Sequence, residues 1–281
     1  MTENGQKSRQ PSCIHACLKI GGMSAARIVF WLAAITIVSF VIGLGILVLS
    51  GGFQPSPDQS LSPFRDTAFL SPNTTLVPLD GAASGDVKIT LGAGELIVHG
   101  GAPDTVLMEA TVFSEASEWQ PELVQGVNNS RKSVVMTEKG HKGKEWFAMD
   151  SPNSWAISLN DDIPTRLDVN VGAGDCHLTL GTLNLESLSV HNGAGDTMID
   201  LGGYRGGRFD ATVRNGVGDL TLRVPPESNM RIRVHTGIGE VIQNGFVQDG
   251  DSYVTTGFNS SVAVNEITLN QGVGSIILET I

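Results

Sequence analysis

The chain has 281 residues, and its 18 Lys and Arg stand against 29 Asp and Glu, which gives a formal net charge of −11. This acidic balance argues against nucleic-acid binding, which requires clustered cations. Three Cys are too few for a disulfide framework. With 34 Gly and only 6% aromatic residues, the composition favours short strands and tight turns over a bulky helical core.

The N-terminal region predicts a membrane anchor. Residues 28–49 form a run of 22 residues without a charge, long enough for a helix to cross the hydrocarbon core of a bilayer. Four of the five charged residues in segment 1–27 are Lys or Arg, so the positive-inside rule places that segment in the cytoplasm. A cleaved signal peptide is the alternative, but the run is longer than is usual for one and no A-x-A site follows. We expect a single-pass protein of the plasma membrane that contacts the lipid bilayer through residues 28–49.

Residues 50–75 predict an extended linker, because they combine several Pro with Ser, Gly and Asp. The part of the chain after residue 50 carries 14 Lys and Arg against 28 Asp and Glu, a net charge of −14. We expect residues 76–281 to form an acidic extracytoplasmic domain, held away from the membrane by this linker.

A tetrapeptide G-x-G-[D/E/S] is repeated six times in this domain. Successive copies begin 80, 21, 23, 21 and 35 residues apart, and apolar residues alternate on both sides of each copy, which is typical of a strand, a corner and a second strand. A corner needs glycine where φ is positive or where the backbone of a neighbouring repeat comes close. The predicted corner glycines are Gly92, Gly94, Gly172, Gly174, Gly193, Gly195, Gly216, Gly218, Gly237, Gly239, Gly272 and Gly274.

Units of 21 to 23 residues are too short to bury an apolar face alone, so they must stack and share one core. The pattern therefore predicts an all-β domain, a β-solenoid of stacked repeats. We favour a right-handed β-helix, and a flattened antiparallel rack is the alternative. The residue before the corner is Asn192, Asn215, Thr236 or Gln271 in four copies, which suggests a polar ladder inside the stack.

Other interpretations of the G-x-G motif fit less well. A dinucleotide-binding fingerprint continues into a helix, whereas an alternating strand follows these copies. Calcium-binding β-rolls repeat every nine residues. The acids after the corners, such as Asp175, Asp196 and Asp219, could gather a cation, but we favour solvated turn residues. No catalytic set can be selected from the spacing, so we expect no enzymatic activity, no cofactor and no metal.

The runs LDVNVGAGDCHLTLGTLNLESLSVHNGAGD, VRNGVGDLTLRVP and VHTGIGEV resemble the toast-rack domain of membrane-anchored envelope proteins. That group is similar to the C-terminal part of LiaF-type regulators of the cell-wall stress response. The resemblance covers roughly residues 76–281 and implies an extracytoplasmic β-repeat domain without catalytic residues. It also implies a membrane signalling protein as a candidate partner, although LiaF-type proteins usually have several membrane helices and this chain has one predicted span.

Residues 101–160 interrupt the repeats as an irregular insert, which contains three of the four Trp and a cluster of cations. Aromatic residues beside cations fit an anionic polymer, a lipid head group or an acidic partner. A cap over the first repeat is the interpretation that we favour. The candidate partner-binding residues of the insert are Trp119, Arg131, Lys132, Lys142 and Trp146.

The last residues, SIILETI, read as a strand, so we expect a bare sheet edge there and self-association through terminal strands. The leading function is a non-enzymatic membrane protein that presents a β-repeat rod for docking or for sensing and regulation of envelope stress. The alternatives are a lyase-like carbohydrate-active enzyme, since lyases also use parallel β-helices, and a self-assembling structural or adhesive module.

Overall fold

The fold is described from a computed structural model, for residues 72–114, 121–139, 153–204 and 206–281. About 66% of this part is strand, and it contains no helix. None of its segments is therefore a helix that could cross a membrane. The predicted anchor, the cytoplasmic segment and most of the linker lie outside the described residues.

The nineteen strands form two sheets, one of nine strands and one of ten. Sheet A has the order β1-β4-β7-β3-β9-β11-β13-β19-β15, and sheet B has the order β16-β17-β14-β18-β12-β10-β8-β2-β6-β5. The strands are β1 Asn73–Pro78, β2 Ser84–Ala93, β3 Glu95–Gly100, β4 Val106–Ser114, β5 Glu122–Asn128, β6 Arg131–Thr137, β7 Asn153–Leu159, β8 Thr165–Ala173, β9 Cys176–Thr179, β10 Leu185–Ala194, β11 Thr197–Asp200, β12 Asp210–Val217, β13 Leu220–Val224, β14 Met230–Ile238, β15 Val241–Asn244, β16 Val247–Asp249, β17 Ser252–Val254, β18 Asn265–Val273 and β19 Ile276–Thr280.

Each G-x-G copy connects a strand of sheet B to a strand of sheet A, and we call such a pair with its corner a rung. Neighbouring rungs pair in parallel and in register; for example, Val190 of β10 lies between Val169 of β8 and Val213 of β12. Alternate residues of each strand point inward, so the apolar set of one rung packs on the set of the next in one continuous core. A β-solenoid requires parallel pairing between neighbouring rungs, whereas an antiparallel rack does not. The all-β prediction is confirmed.

The order of the rungs differs from their order in the sequence. The rung β18–β19 lies between β12–β13 and β14–β15 in both sheets, although β14 and β15 come first in the chain. The C-terminal strand β19 therefore pairs with β13 on one side and with β15 on the other. The expected bare edge at SIILETI is wrong, because β15 occupies the edge position of sheet A.

Antiparallel strands cover the other end of the stack, where the insert lies. Strands β6 and β7 of the insert extend the two sheets in parallel beside β2 and β3. Strands β4 and β1 then continue sheet A in antiparallel fashion, and β5 does the same for sheet B. Trp155 of β7 is fully buried, and its indole N–H donates to Asn153 Oδ1 over 3.0 Å. This arrangement agrees with the interpretation of the insert as a cap.

Candidate functional site

The corners use two glycines for two physical reasons. The second glycine of each copy has a φ between 126° and 145°, a region that L side chains rarely adopt. Close approach of the neighbouring backbone is the second reason, and it applies to both glycines of a corner. A Cβ on Gly193 would lie well within 3.0 Å of the carbonyl oxygen of Gly172, and the same holds for each corner that stacks on another G-x-G. At these positions the neighbouring backbone leaves no room for a side chain.

A buried polar ladder runs along the inner side of the corners. Asn192, Asn215 and Gln271 occupy equivalent positions in three adjacent rungs, and all three are buried. The Asn192 amide donates to the carbonyls of Gly174 and Gly195, over 3.1 and 3.3 Å, and Gln271 donates to Gly218 O over 2.6 Å. Asn192 and Gln271 therefore satisfy corner carbonyls, whereas Asn215 Oδ1 accepts from Thr197 Oγ1 over 3.3 Å.

A second ladder runs along the outer side of the corners. The backbone N–H of Asp196 donates to Asp175 Oδ1 over 3.1 Å. Asp219 donates to Asp196 Oδ1, and Ser275 to Asp219 Oδ1, each over 2.8 Å. The carboxylates thus accept from the corner of the next rung, which favours turn residues over cation ligands. The described part of the chain holds no group of three or more His, Cys, Asp or Glu side chains arranged for a metal ion.

The middle residues of the corners form an exposed ridge, which the sequence analysis did not identify. They are in register from rung to rung, and their size increases along the stack. The three rungs nearest the insert carry Ala, and the next three carry larger residues: Val217 is 54% exposed, Val273 43% and Ile238 70%. In order along the stack, the ridge is Ala93, Ala173, Ala194, Val217, Val273 and Ile238.

The ridge ends at the rung β14–β15, which we call the uncovered rung. On its outer side, β17 pairs only with Arg231–Arg233 of β14, and β15 is the last strand of sheet A. In the other rungs a corner N–H donates to the next rung, as Gly274 does to Ile238 O and Ile276 does to Glu240 O. Among the described residues, no acceptor lies opposite the equivalent N–H groups of the uncovered rung.

The predicted cation cluster of the insert is only partly described. Arg131 Nη1 lies 3.1 Å from Asp86 Oδ1, and Arg131 Nη2 lies 3.0 Å from Glu186 Oε1. Arg166 Nε also contacts Glu186, at 2.9 Å. The hydrogen bond from Arg131 holds the pKa of Glu186 below its usual range, although burial opposes the shift. Arg131 is thus joined to the outer face of sheet B as part of a charge-balanced network.

Lys132 is 2% exposed and forms an ion pair with Asp80. Its ammonium group is therefore directed into the protein and not toward a partner, because a buried charge requires a compensating one. Trp119, Lys142 and Trp146 lie outside the described residues. A docking role for this cluster remains a prediction, and Arg131 and Lys132 do not strengthen it.

Other chemistry-bearing groups also have structural surroundings. Cys176 is fully buried in the core, and burial raises the pKa of its thiol to about 12, so the reactive thiolate is suppressed at neutral pH. A shallow groove on the outer face of sheet B is lined by Lys88, Asp168 and Ser189, among others. Lys88 and Asp168 pair there at 3.4 Å. This face combines acids and bases, but they are engaged with one another.

The fold and the corner geometry together define a class of protein: an all-β domain of parallel rungs that stack through paired glycines. Residues 69–223 match the family described as the N-terminal domain of toast_rack, DUF2154. Because the match covers more than half of the chain, the protein belongs to the toast-rack family, and the predicted family resemblance is confirmed.

Solved structures include similar proteins. A candidate cell-adhesion protein from Clostridium sporogenes is 26% identical with a TM-score of 0.70, and the match covers 75% of this chain and 99% of that one. A candidate adhesin from Bacteroides fragilis has 11% identity and a TM-score of 0.31, covering 74% of this chain and 97% of that one. No curated protein matches the sequence.

Proposed function

We propose that the protein is a non-enzymatic component of the cell envelope, anchored by residues 28–49, which presents its β-stack on the outer side as a docking or adhesion surface. The observation that carries this proposal is a contrast between polar side chains, which have partners within the domain, and apolar side chains, several of which are exposed. Asp175, Asp196 and Asp219 accept from backbone N–H groups, Arg131 and Arg166 pair with Glu186, and the thiol of Cys176 is buried. Exposed apolar residues, in contrast, collect on the ridge and at the ends of the stack, and such exposed patches are typical of binding surfaces.

The similar structure from Clostridium sporogenes supports the adhesive form of this proposal, since it is described as a candidate cell-adhesion protein. A catalytic base must be free to accept a proton. The carboxylate of Glu186 is instead paired with both Arg131 and Arg166, which supports binding over lyase-like catalysis. Regulation of a membrane signalling partner through the same surface is the second form of the proposal, and it rests on the predicted anchor.

Lysine labelling in intact cells tests the anchor and the orientation together. Lys7 and Lys19 lie on the predicted cytoplasmic side, and Lys139 is an exposed residue of the β-domain. We expect a membrane-impermeant amine reagent to modify Lys139 in whole cells, and Lys7 and Lys19 only after lysis. Mass spectrometry of the full-length chain identifies the modified residues. Labelling of Lys7 in intact cells, or recovery of the unmodified chain in the soluble fraction, would contradict the proposal.

Photocrosslinking identifies the partner class. A photoreactive residue at position 142 probes the insert, and one at position 238 probes the ridge. A single membrane protein captured from either position supports the regulatory form, and envelope polymer or a second copy supports the adhesive form. Crosslinks confined to bulk cytoplasmic proteins would overturn both.

A further inference from the structure

The uncovered rung leaves strand β15 as an unprotected edge of sheet A, whereas in sheet B the strands β17 and β16 extend beyond Arg231–Arg233 of β14. Natural edge strands usually carry charges, Pro or bulges that prevent pairing with another chain. Strand β15 has the sequence Val-Ile-Gln-Asn, and the part of β14 that pairs with β18 but not with β17 reads Val-His-Thr-Gly-Ile. These nine residues contain no Lys, Arg, Asp, Glu or Pro. Both segments therefore retain the backbone groups and the side chains that accept an additional strand.

The side chains around this edge are apolar and exposed. Ile238 is 70% exposed and Ile242 47%, and Val217 and Val273 continue the surface along the ridge. Val234 and Val241, which are equivalent to buried residues of the neighbouring rung, are half-buried at the end of the stack. An additional strand next to β15 would cover Val241 and flank Ile242, and it would also satisfy the free N–H groups.

The charge distribution favours a copy of the same chain as the occupant. The part of the chain after residue 50 has a net charge of −14, so two copies repel each other over most of their surfaces. Between residues 234 and 244, Glu240 is the single acidic residue and no Lys or Arg is present. At the same end of the stack, Asp249 of β16 is paired with Arg231 at 3.3 Å, so two acidic domains can approach here without opposing rows of unpaired carboxylates.

When an edge strand pairs in antiparallel fashion with the same strand of a second copy, the interface is symmetric, because each strand supplies the same donors and acceptors. We propose that two copies of this protein associate through their uncovered rungs, by antiparallel pairing of strand β15 with its copy around Ile242. This inference rests on the proposed docking function and names its partner. The rung is short, so the buried area falls below the roughly 800 Å² per partner of a standard interface, and the association is weak and concentration-dependent.

Cysteine crosslinking tests the proposal in cells that express the full-length chain. Ile242→Cys is introduced with Cys13→Ser and Cys17→Ser, and the buried Cys176 is retained. The matched control is Leu76→Cys, since Leu76 is 55% exposed on β1, the strand at the opposite edge of the same sheet. After mild oxidation or a short bismaleimide, we expect at least tenfold more covalent dimer for Ile242→Cys than for Leu76→Cys.

A second variant places a negative charge at the edge and tests whether dimer formation depends on this surface. Ile238→Asp added to Ile242→Cys should reduce the dimer at least fivefold, while Leu76→Asp should leave it unchanged. Both positions are exposed, and equal unfolding midpoints confirm that the fold is intact. Dimer loss at equal midpoints supports the proposal.

Three results would overturn it: equal crosslinking at positions 76 and 242, crosslinks from position 242 to a different polypeptide, or efficient crosslinking between the two variants when they are co-expressed. The last result would indicate head-to-tail stacking. Lysine labelling in the same cells reports on anchoring, so a failed dimer with correct labelling of Lys139 rejects this inference and leaves the proposed function standing.

Discussion

The rungs β10–β11 and β14–β15 have almost the same corner, Gly-Ala-Gly-Asp in one and Gly-Ile-Gly-Glu in the other, but their surroundings differ. The corner at Gly195 lies between two neighbouring rungs, and the preceding Asn192 is fully buried. The corner at Gly239 stacks on one neighbour only, and the preceding Thr236 is exposed. The motif therefore specifies how a chain turns, while its position in the stack decides what the turn contributes to stability. Matched substitutions at equivalent positions separate these two contributions.

The largest difference is expected for the second corner glycine. In Gly195→Ala, the Cβ would overlap the carbonyl oxygen of Gly174 at a φ of 126°, and the rungs on both sides prevent relaxation. We expect a loss of about 3 to 5 kcal/mol of unfolding free energy. Gly239→Ala has similar strain but can shift outward, so about 1 to 2 kcal/mol is expected. Urea denaturation measures both.

Gly126→Ala is the control for this pair, because a Cβ at Gly126 meets no atom within 4 Å. Its unfolding free energy should stay within about 0.5 kcal/mol of that of the parent. An equal loss at Gly195 and Gly239 would show that backbone strain alone, and not stacking, sets the requirement for glycine.

The second difference concerns the rate of thiol modification. Cys176 and Val241 occupy the same inward position in different rungs, connected through Thr197, Leu220 and Ile276. Cys176 is fully buried and therefore inaccessible. Burial also raises the pKa of its thiol to about 12, so the thiol is protonated at pH 8. In a Cys13→Ser, Cys17→Ser background, we expect the Cys of Val241→Cys to react with a maleimide at least about 100 times faster than Cys176. Mass spectrometry of timed samples measures both rates, and similar rates would show that the two rungs are equally open.

The third difference concerns the inner polar ladder. Asn192→Ala removes the donor to the carbonyls of Gly174 and Gly195 and leaves them buried, which should cost about 2 to 3 kcal/mol. Thr236→Ala changes an exposed residue at the equivalent position and should cost less than about 0.5 kcal/mol. The thermal unfolding midpoints of the two variants provide the comparison, and a small effect of Asn192→Ala would mean that water replaces the amide.

The smallest difference is expected for the outer acids. Asp219→Ala removes the acceptor of the Ser275 N–H, an exposed hydrogen bond with an expected contribution of about 0.5 to 1 kcal/mol. Glu240→Ala removes an acid that has no following rung to accept from, and no change in stability is expected. Calorimetry at neutral pH distinguishes the two, and destabilisation by Glu240→Ala would reveal a partner of that carboxylate outside the described residues.

The alternation around each G-x-G copy was sufficient to predict strands, corners and a shared core, because period-two burial and positive-φ glycine are local properties. It also predicted a polar ladder at the residues before the corners, of which Asn192, Asn215 and Gln271 are buried, whereas Thr236 is exposed at the end of the stack. The place of each rung was not predictable in the same way. The G-x-G frame is the same at Gly272 and at Gly237, so it does not indicate which of the two repeats stacks on the repeat at Gly216.

The candidate site was predicted less well than the fold. The cluster of Trp and cations in the insert was a signal of composition, whereas the surroundings of Arg131 and Lys132 depend on Asp80, Asp86 and Glu186, which are distant in sequence. The ridge was readable in principle, since its residues are the variable positions of G-x-G. Their change from Ala to Val and Ile becomes meaningful only when the rungs are placed in spatial order.

The place of β18 and β19 inside the stack has a consequence for biosynthesis. Residues 230–244 leave the ribosome before residues 265–280, yet β14 reaches β12, and β15 reaches β13, only through the later strands. Until residues 265–280 are available, the rung β12–β13 has no neighbouring rung on its β14–β15 side. Folding is complete only when the last rung inserts, so truncation before residue 265 would detach the rung β14–β15 as well as remove β18–β19.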